Sequence, residues 1–167
     1  MKAEGSPLVT VVIPAYNHER YVVDAIRSII NQDYGNVELI IINDGSRDGT
    51  HEKIAGLVGV CTKRFARFEY INRANIGLSA TLNQALSMAR GTYFSALASD
   101  DIAYPNKIRL LVNVLETNGP AFAAAFGNAR FIDINGRDIK RGNAQQHQPD
   151  APASRRAEVH RERHQDD

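Results

Sequence analysis

Two hydrophobic patterns alternate along the chain. Residues 8–13 and 37–42 are dominated by β-branched and aliphatic side chains, and residues 68–71 form a shorter stretch of the same kind. Such runs suit parallel strands buried on both faces. Between them apolar residues return at helical spacing: Val22, Ala25, Ile26, Ile29 and Ile30, then Ile54, Leu57 and Val58, then Leu78, Leu82, Ala85, Leu86 and Ala89. Each set draws one apolar face along an amphipathic helix. The stretch 91–101, Gly-Thr-Tyr-Phe-Ser-Ala-Leu-Ala-Ser-Asp-Asp, predicts a fourth strand covered on both faces and ending on two adjacent carboxylates. Burying an unpaired carboxylate is costly, so Asp100 and Asp101 are expected at the carboxyl edge of the sheet, where open α/β sheets bind ligands.

Local signals punctuate these elements. Pro14 is expected to stop the first strand and fix the backbone at its exit. Asp48 or Thr50 offers a cap for the second helix, and Gly77 stands where the chain needs a positive φ. Arg90 and Gly91 read as the end of the helix before the fourth strand. Pro105 suits the first turn of a helix that buries Ile108, Leu111, Val112 and Leu115, and Asn118-Gly119-Pro120 stops it. Residues 121–126 and 129–134 read as two more strands, with Asn135-Gly136 as a turn. Strands alternating with helices predict βαβ units: an α/β architecture with a mostly parallel sheet and helices on both faces.

The pattern lapses near residue 141. Residues 141–167 contain one branched aliphatic side chain, Val159, and no aromatic. Such a segment cannot bury enough surface to offset the ordering of its backbone. The expected organisation is a domain over residues 1–140 followed by a polar, disordered tail. His147, His160 and His164 in that tail match no defined metal spacing.

Composition narrows the function class. With 20 basic and 19 acidic residues, the net charge of +1 offers no attraction to nucleic acid. The single cysteine, Cys61, excludes an internal disulfide and a cysteine-based zinc site, and its helical spacing with Ile54, Leu57 and Val58 suggests a buried thiol. No signal-peptide core and no run long enough for a membrane span is visible, so a soluble, cytoplasmic protein is expected, able to work at the inner face of a membrane.

The candidate chemistry lies in loops. There is no Gly-x-Gly-x-x-Gly after the first strand, no phosphate-binding P-loop and no Gly-x-Ser-x-Gly. Asp44, Ser46, Asp48 and Gly49 imitate the start of a calcium loop, but Ala55 stands where the glutamate would be needed. What remains is a convergence. Pro14, Tyr16, Asn17 and Glu19 follow strand one, Asp44 follows strand two, Arg73 and Asn75 follow strand three, and Asp100 and Asp101 follow strand four. An aromatic ring can stack on a base, and a carboxylate can accept from an imide N–H or a ribose hydroxyl. Paired carboxylates suit a hard divalent cation such as Mg²⁺ or Mn²⁺. Each residue alone also has a plain structural reading: loop packing for Tyr16, a turn for Asp44, a helix cap for Asn75, a helix-dipole partner for Glu19 and a solvated cation for Arg73.

Four short motifs in order, Val-Val-Ile-Pro-Ala-Tyr-Asn (11–17), Ile-Ile-Asn-Asp-Gly-Ser-x-Asp-Gly-Thr (41–50), Asn-x-Gly-x-Ser (75–79) and Ser-Asp-Asp (99–101), resemble those of family 2 glycosyltransferases. The resemblance covers roughly residues 8–138. It implies a Rossmann-like GT-A nucleotide-sugar-binding sheet and an inverting, Mg²⁺- or Mn²⁺-dependent transfer of a sugar from a nucleoside diphosphate sugar, with UDP as the expected carrier. The acceptor it implies is a carbohydrate or lipid-linked sugar, in polysaccharide biosynthesis. Carried over, Pro14, Tyr16, Asn17 and Glu19 line the nucleoside pocket, with Arg73 and Asn75 beside them on the donor. Asp44 holds the base, Asp100 the ribose or sugar, and Asp101 the metal. Ser99 stands where many relatives have the first aspartate of a D-x-D motif. Relatives continue past the equivalent of Arg137 with the acceptor site and the general base, so no residue here is assigned as that base. The competing expectation is a catalytically incompetent nucleotide-binding remnant or interaction module of the same fold. A nucleotidyltransferase shares the layout but would want a glycine-rich basic loop where Pro-Ala-Tyr-Asn stands.

Overall fold

The computed structural model describes residues 5–133 and 136–139. They fall into two units, one within Met1–Gly127 and one within Asn128–Asp167. The segment 141–167, expected as a disordered tail, lies outside the described residues.

In the first unit the strands β1 (Val9–Ala15), β2 (Val37–Asp44), β3 (Arg67–Arg73) and β4 (Tyr93–Ala96) form one parallel sheet in the order β3-β2-β1-β4. The helices between and after them are α1 (Val22–Ile30), α2 (Thr50–Ala55), α3 (Val58–Arg64), α4 (Leu78–Met88) and α5 (Lys107–Asn118). Alternation along β1 and β2 sends Val9, Val11, Ile13, Leu39 and Ile41 into a core shared with Ala25, Ile26 and Ile29 of α1, Cys61 of α3, and Ile108 and Val112 of α5. Val12, Ile40 and Ile42 point the other way, against Ala85, Leu82 and Met88 of α4. The expected α/β architecture with helices on both faces is what the chain adopts. No helix among the described residues is long and apolar enough to cross a membrane.

Several local expectations are corrected. The strand expected to be covered on both faces is the short edge strand β4, and Phe94 is exposed. The buried strands are the two central ones: every residue of β2 and all of β1 but Pro14 are buried. Pro14 does not stop β1, which runs on to Ala15. The Val12 carbonyl accepts from Leu97 N–H on the β4 side, so by alternation the nitrogen of Pro14 faces that side, past the last paired residue of β4. No ladder hydrogen bond is lost there. The second helix breaks in two around Gly56, a residue type that favours helix less than any but proline. Pro105 precedes the N-cap Asn106 of α5 rather than entering the helix.

The buried face of α4 centres on Thr81 and Ala85. Leu86, turned about 100° from Ala85, is exposed, and Leu78 is exposed at the helix's first turn. Gly91 is not the helix cap: Ala89 holds that position, and a Cβ on Gly91 would lie 2.5 Å from Thr10 N. Close approach of β4 to β1 is what requires glycine here.

Among the described residues, the strands expected over 121–126 and 129–134 do not form. Gly119–Ala121 is a 3-10 turn, and residues 122–126 join neither free edge of the sheet. A strand persists only by pairing, and Phe126 is 90% exposed. In the second unit an antiparallel bridge joins Ile132 to Asp138, and Arg130 pairs with the Asp138 carboxylate. Ile134 and Asn135 lie outside the described residues.

Candidate functional site

From β1 the chain steps to β2 and β3 on one side and then returns to β4 on the other. The loops leaving β1 and β4 therefore part in opposite directions at the carboxyl edge. That opening is where a parallel sheet offers a crevice. A cleft of about 530 Å³ occupies it, lined by Pro14, Ala15, Tyr16, His18, Asp44, Asn75, Gly77, Leu78, Thr81, Ala98, Ser99 and Asp100. Of the residues singled out in the sequence, Pro14, Tyr16, Asp44, Asn75 and Asp100 meet here. Asn17, Glu19, Arg73 and Asp101 lie at the same edge but outside the lining.

Asp44 closes the inner end. It is 4% exposed, and its carboxylate accepts from Ile76 N–H and Gly77 N–H at 2.9 Å each and pairs with the Arg73 guanidinium. Burial alone would raise its pKa. The Ile76 N–H, the bond and charge of Arg73, and the Gly77 N–H outweigh that and hold the carboxyl below the ordinary aspartate range. Arg73 reaches behind it to Gln84 and Thr81 of α4, and Asn75 donates to the Asp44 carbonyl. The two backbone donors come from the segment entering α4, where Gly77 takes φ +89°. Gly45, at φ +71°, allows the β2 and β3 loops to touch, since a Cβ there would lie 2.6 Å from Asn75 N.

The β1 loop is stitched to the β2 loop. Asn17, at φ +53°, donates its N–H to Ser46 and accepts from Arg47 N–H. Asparagine tolerates that backbone better than most residues. Glu19 accepts from Gly49 N–H, and its own N–H donates to Asp48, which also accepts from the N–H and hydroxyl of Thr50. Asn17 and Glu19 thus hold the loop that presents Tyr16, whose ring is about half exposed over the cleft.

The far wall is the β4 loop. Asp100 and Asp101 are both exposed, side by side. Among the described residues, Asp101 has no hydrogen-bonding or ion-pair partner for its side chain, and no cluster of three or more metal-ligating side chains occurs. Two accessible carboxylates fit a hard divalent cation that takes its other ligands from phosphate and water. The motifs do not single out His18, and they mark Ser99 only as a departure from D-x-D. Ser99 is 1% exposed, and its Oγ lies 2.7 Å from His18 Nδ1, joining the two loops across the opening. The signal was present: His18 sits in the same exit loop as Tyr16. The rim was also read as polar, which passed over Leu78 and Thr81.

Known proteins resemble this chain in sequence and in fold. The model of glycosyl transferase family 2 matches residues 10–162. An uncharacterized glycosyltransferase of Rickettsia felis is 36% identical over 135 residues, 80% of this chain and 21% of that protein. One from Haemophilus influenzae is 42% identical over 116 residues, 69% of this chain and 35% of that protein. The chain thus spans from about a fifth to about a third of the length of these curated relatives. Among solved structures, S. aureus TarS 1–349 in complex with UDP-GlcNAc superposes with a TM-score of 0.58 at 21% identity, over 66% of this chain and 31% of that one. The mannosyltransferase PcManGT from Pyrobaculum calidifontis, in complex with GDP-Man and Mn²⁺, gives 0.60 at 23% identity, over 70% and 34%. These structural likenesses carry the fold.

Proposed function

Because the chain belongs to glycosyl transferase family 2, we propose that its cleft is the donor site of an inverting, metal-dependent sugar transfer from a nucleoside diphosphate sugar to an acceptor hydroxyl. The observation that carries this reading is the meeting of Tyr16, Asp44, Asn75 and Asp100 in one cleft between the diverging loops. Tyr16 stacks on the base. Asp44, ionised and held from behind, accepts an imide N–H, which favours uracil. Arg73, Asn17 and Glu19 act from behind the lining, on Asp44 and on the Tyr16 loop. Asp100 holds a ribose or sugar hydroxyl, and Asp101 binds Mg²⁺ or Mn²⁺. The ion, when bound, neutralises charge on the departing diphosphate.

The structural neighbours bound to UDP-GlcNAc and to GDP-Man with Mn²⁺ support the ligand class. The acceptor in this reading is a carbohydrate or a lipid-linked sugar, and the setting is polysaccharide assembly in the cytoplasm. A second reading, a donor-binding module without transfer, draws on one observation: the acids lining the cleft are Asp44, engaged by Arg73 and two backbone N–H groups, and Asp100.

Calorimetric titration of UDP, GDP, CDP and ADP, each with and without Mn²⁺, tests the donor site. UDP binding that tightens with Mn²⁺ is expected, and no preference among bases with no metal effect contradicts it. Incubation with UDP-sugars and sugar acceptors then separates transferase from module by the presence or absence of product.

A further inference from the structure

The loops leaving β1 and β4 are bridged by one side chain, His18. Its own backbone is fixed: the N–H donates to Thr50 Oγ1 at 2.9 Å, and the carbonyl accepts from the N–H groups of Tyr21 and Val22. The ring meets Tyr21 edge-on, with centroids 6.1 Å apart. Nδ1 lies 2.7 Å from the buried hydroxyl of Ser99, and Nε2 faces Asp100 Oδ2 at 3.9 Å. A carboxylate only accepts, so the tautomer that suits Asp100 carries its hydrogen on Nε2. Nδ1 then accepts from the Ser99 hydroxyl. A separation of 3.9 Å is too long for a hydrogen bond. The imidazole thus stands beside a half-exposed carboxylate without occupying its lone pairs.

We infer that His18 is a positioning residue of the donor site: anchored on Ser99, its Nε2–H turns the Asp100 carboxylate toward the sugar end of the bound nucleotide. This rests on the donor-site reading above. Groups that orient a metal ligand commonly contribute tenfold or more to metal affinity, and an effect of that order is expected for a carboxylate oriented toward a sugar hydroxyl. The alternative is that His18 only fastens the two loops through Ser99. The two ends of the ring separate these roles. Asparagine at this position keeps an amide near Nδ1, beside Ser99, but presents nothing to Asp100. Glutamine carries its amide out to the position of Nε2.

The test is calorimetric binding of UDP-GlcNAc in Mn²⁺ to the whole chain and to His18→Asn, His18→Gln, Asp100→Asn and the double variant His18→Asn/Asp100→Asn, with thermal melting to follow folding. The expected result is a loss of about tenfold in H18N, near-native binding in H18Q, and a double variant no weaker than D100N alone, because His18 acts through Asp100. Native binding by H18N with weakened H18Q makes the histidine a fastener and overturns the inference, as do additive losses in the double variant. The H18Q arm stands by itself: a folded H18Q that binds tenfold more weakly overturns the inference whatever H18N does. A wild-type chain that binds no UDP-GlcNAc in Mn²⁺ overturns the donor-site reading and this inference with it. Wild-type binding that is insensitive to position 18 overturns the inference alone.

Discussion

Glu38 carries a carboxylate into the second position of β2 with no exposed surface. It is tolerated because each oxygen is engaged: Thr10 Oγ1 and Arg90 N–H donate to Oε1, and Arg67 of β3 pairs with Oε2 at 2.6 Å. A buried carboxylate left without these partners would cost several kcal/mol. Replacing it takes from the Arg67 guanidinium its buried partner and leaves it only Glu69 and the Met88 carbonyl. Glu38→Ala is expected to lower unfolding stability by about 3 kcal/mol, measured by urea denaturation; a change within experimental error would show the pair to be inert. Cys61 is the opposite case, a buried thiol without a charged partner, and burial pushes its pKa up to about 11. It should resist alkylation near neutral pH in the native protein and react only on unfolding. Rapid labelling of the folded chain would contradict that.

At the level of elements, the approach of β4 to β1 depends on Gly91. A Cβ there would meet Thr10 N at 2.5 Å and Tyr93 O at 2.8 Å, and both are backbone atoms that cannot swing aside. Gly91→Ala should destabilise the protein by about 2 kcal/mol and weaken nucleotide binding, since β4 leads into Asp100. A variant with native stability would mean the strand pair has slack. The first three strands and α1 were legible because their periodicity is strong and unbroken, as in Val22, Ala25, Ile26 and Ile29. The status of β4 was not. An apolar run such as Tyr-Phe-Ser-Ala reads the same whether one face or both are covered, and coverage depends on strand order, a long-range property. For the same reason residues 121–126 look like a strand and are not one: pattern reports propensity, while a strand also needs a partner edge. Glu38 was passed over inside an aliphatic run because its partners lie on three other segments.

For the molecule as a whole, three carboxylates tie separate segments together. Glu38 links β1, β2 and β3, Asp44 links β2 to the entry of α4, and Asp48 links the β1 loop to α2. All three have pKa values below their ordinary ones of 4.5 for Glu38 and 3.8 for the aspartates: burial opposes the shift, and hydrogen bonds together with the Arg67 and Arg73 charges outweigh it. A depressed folded-state pKa gives stability that is complete above the unfolded value and is lost as pH falls through the folded one. Stability should therefore be flat between about pH 5 and 7 and decline below about pH 4.5. Urea midpoints across that range check it, and a decline already present at pH 6 would point to another group. The site was legible at this scale because a parallel sheet delivers every strand-exit loop to one edge. Which residues line the cleft was not, because Asn17, Glu19 and Arg73 share that edge yet are spent on holding loops and Asp44.

The central claim is that a nucleoside diphosphate docks in the opening between the β1 and β4 loops. The most direct measurement is a crystal structure of the chain grown with UDP and Mn²⁺, with the ion located by its anomalous signal. The account predicts the base against Tyr16 and Asp44, with the diphosphate and Mn²⁺ beside Asp100 and Asp101. A nucleotide bound on any other face of the sheet, or Mn²⁺ held away from that carboxylate pair, would contradict it.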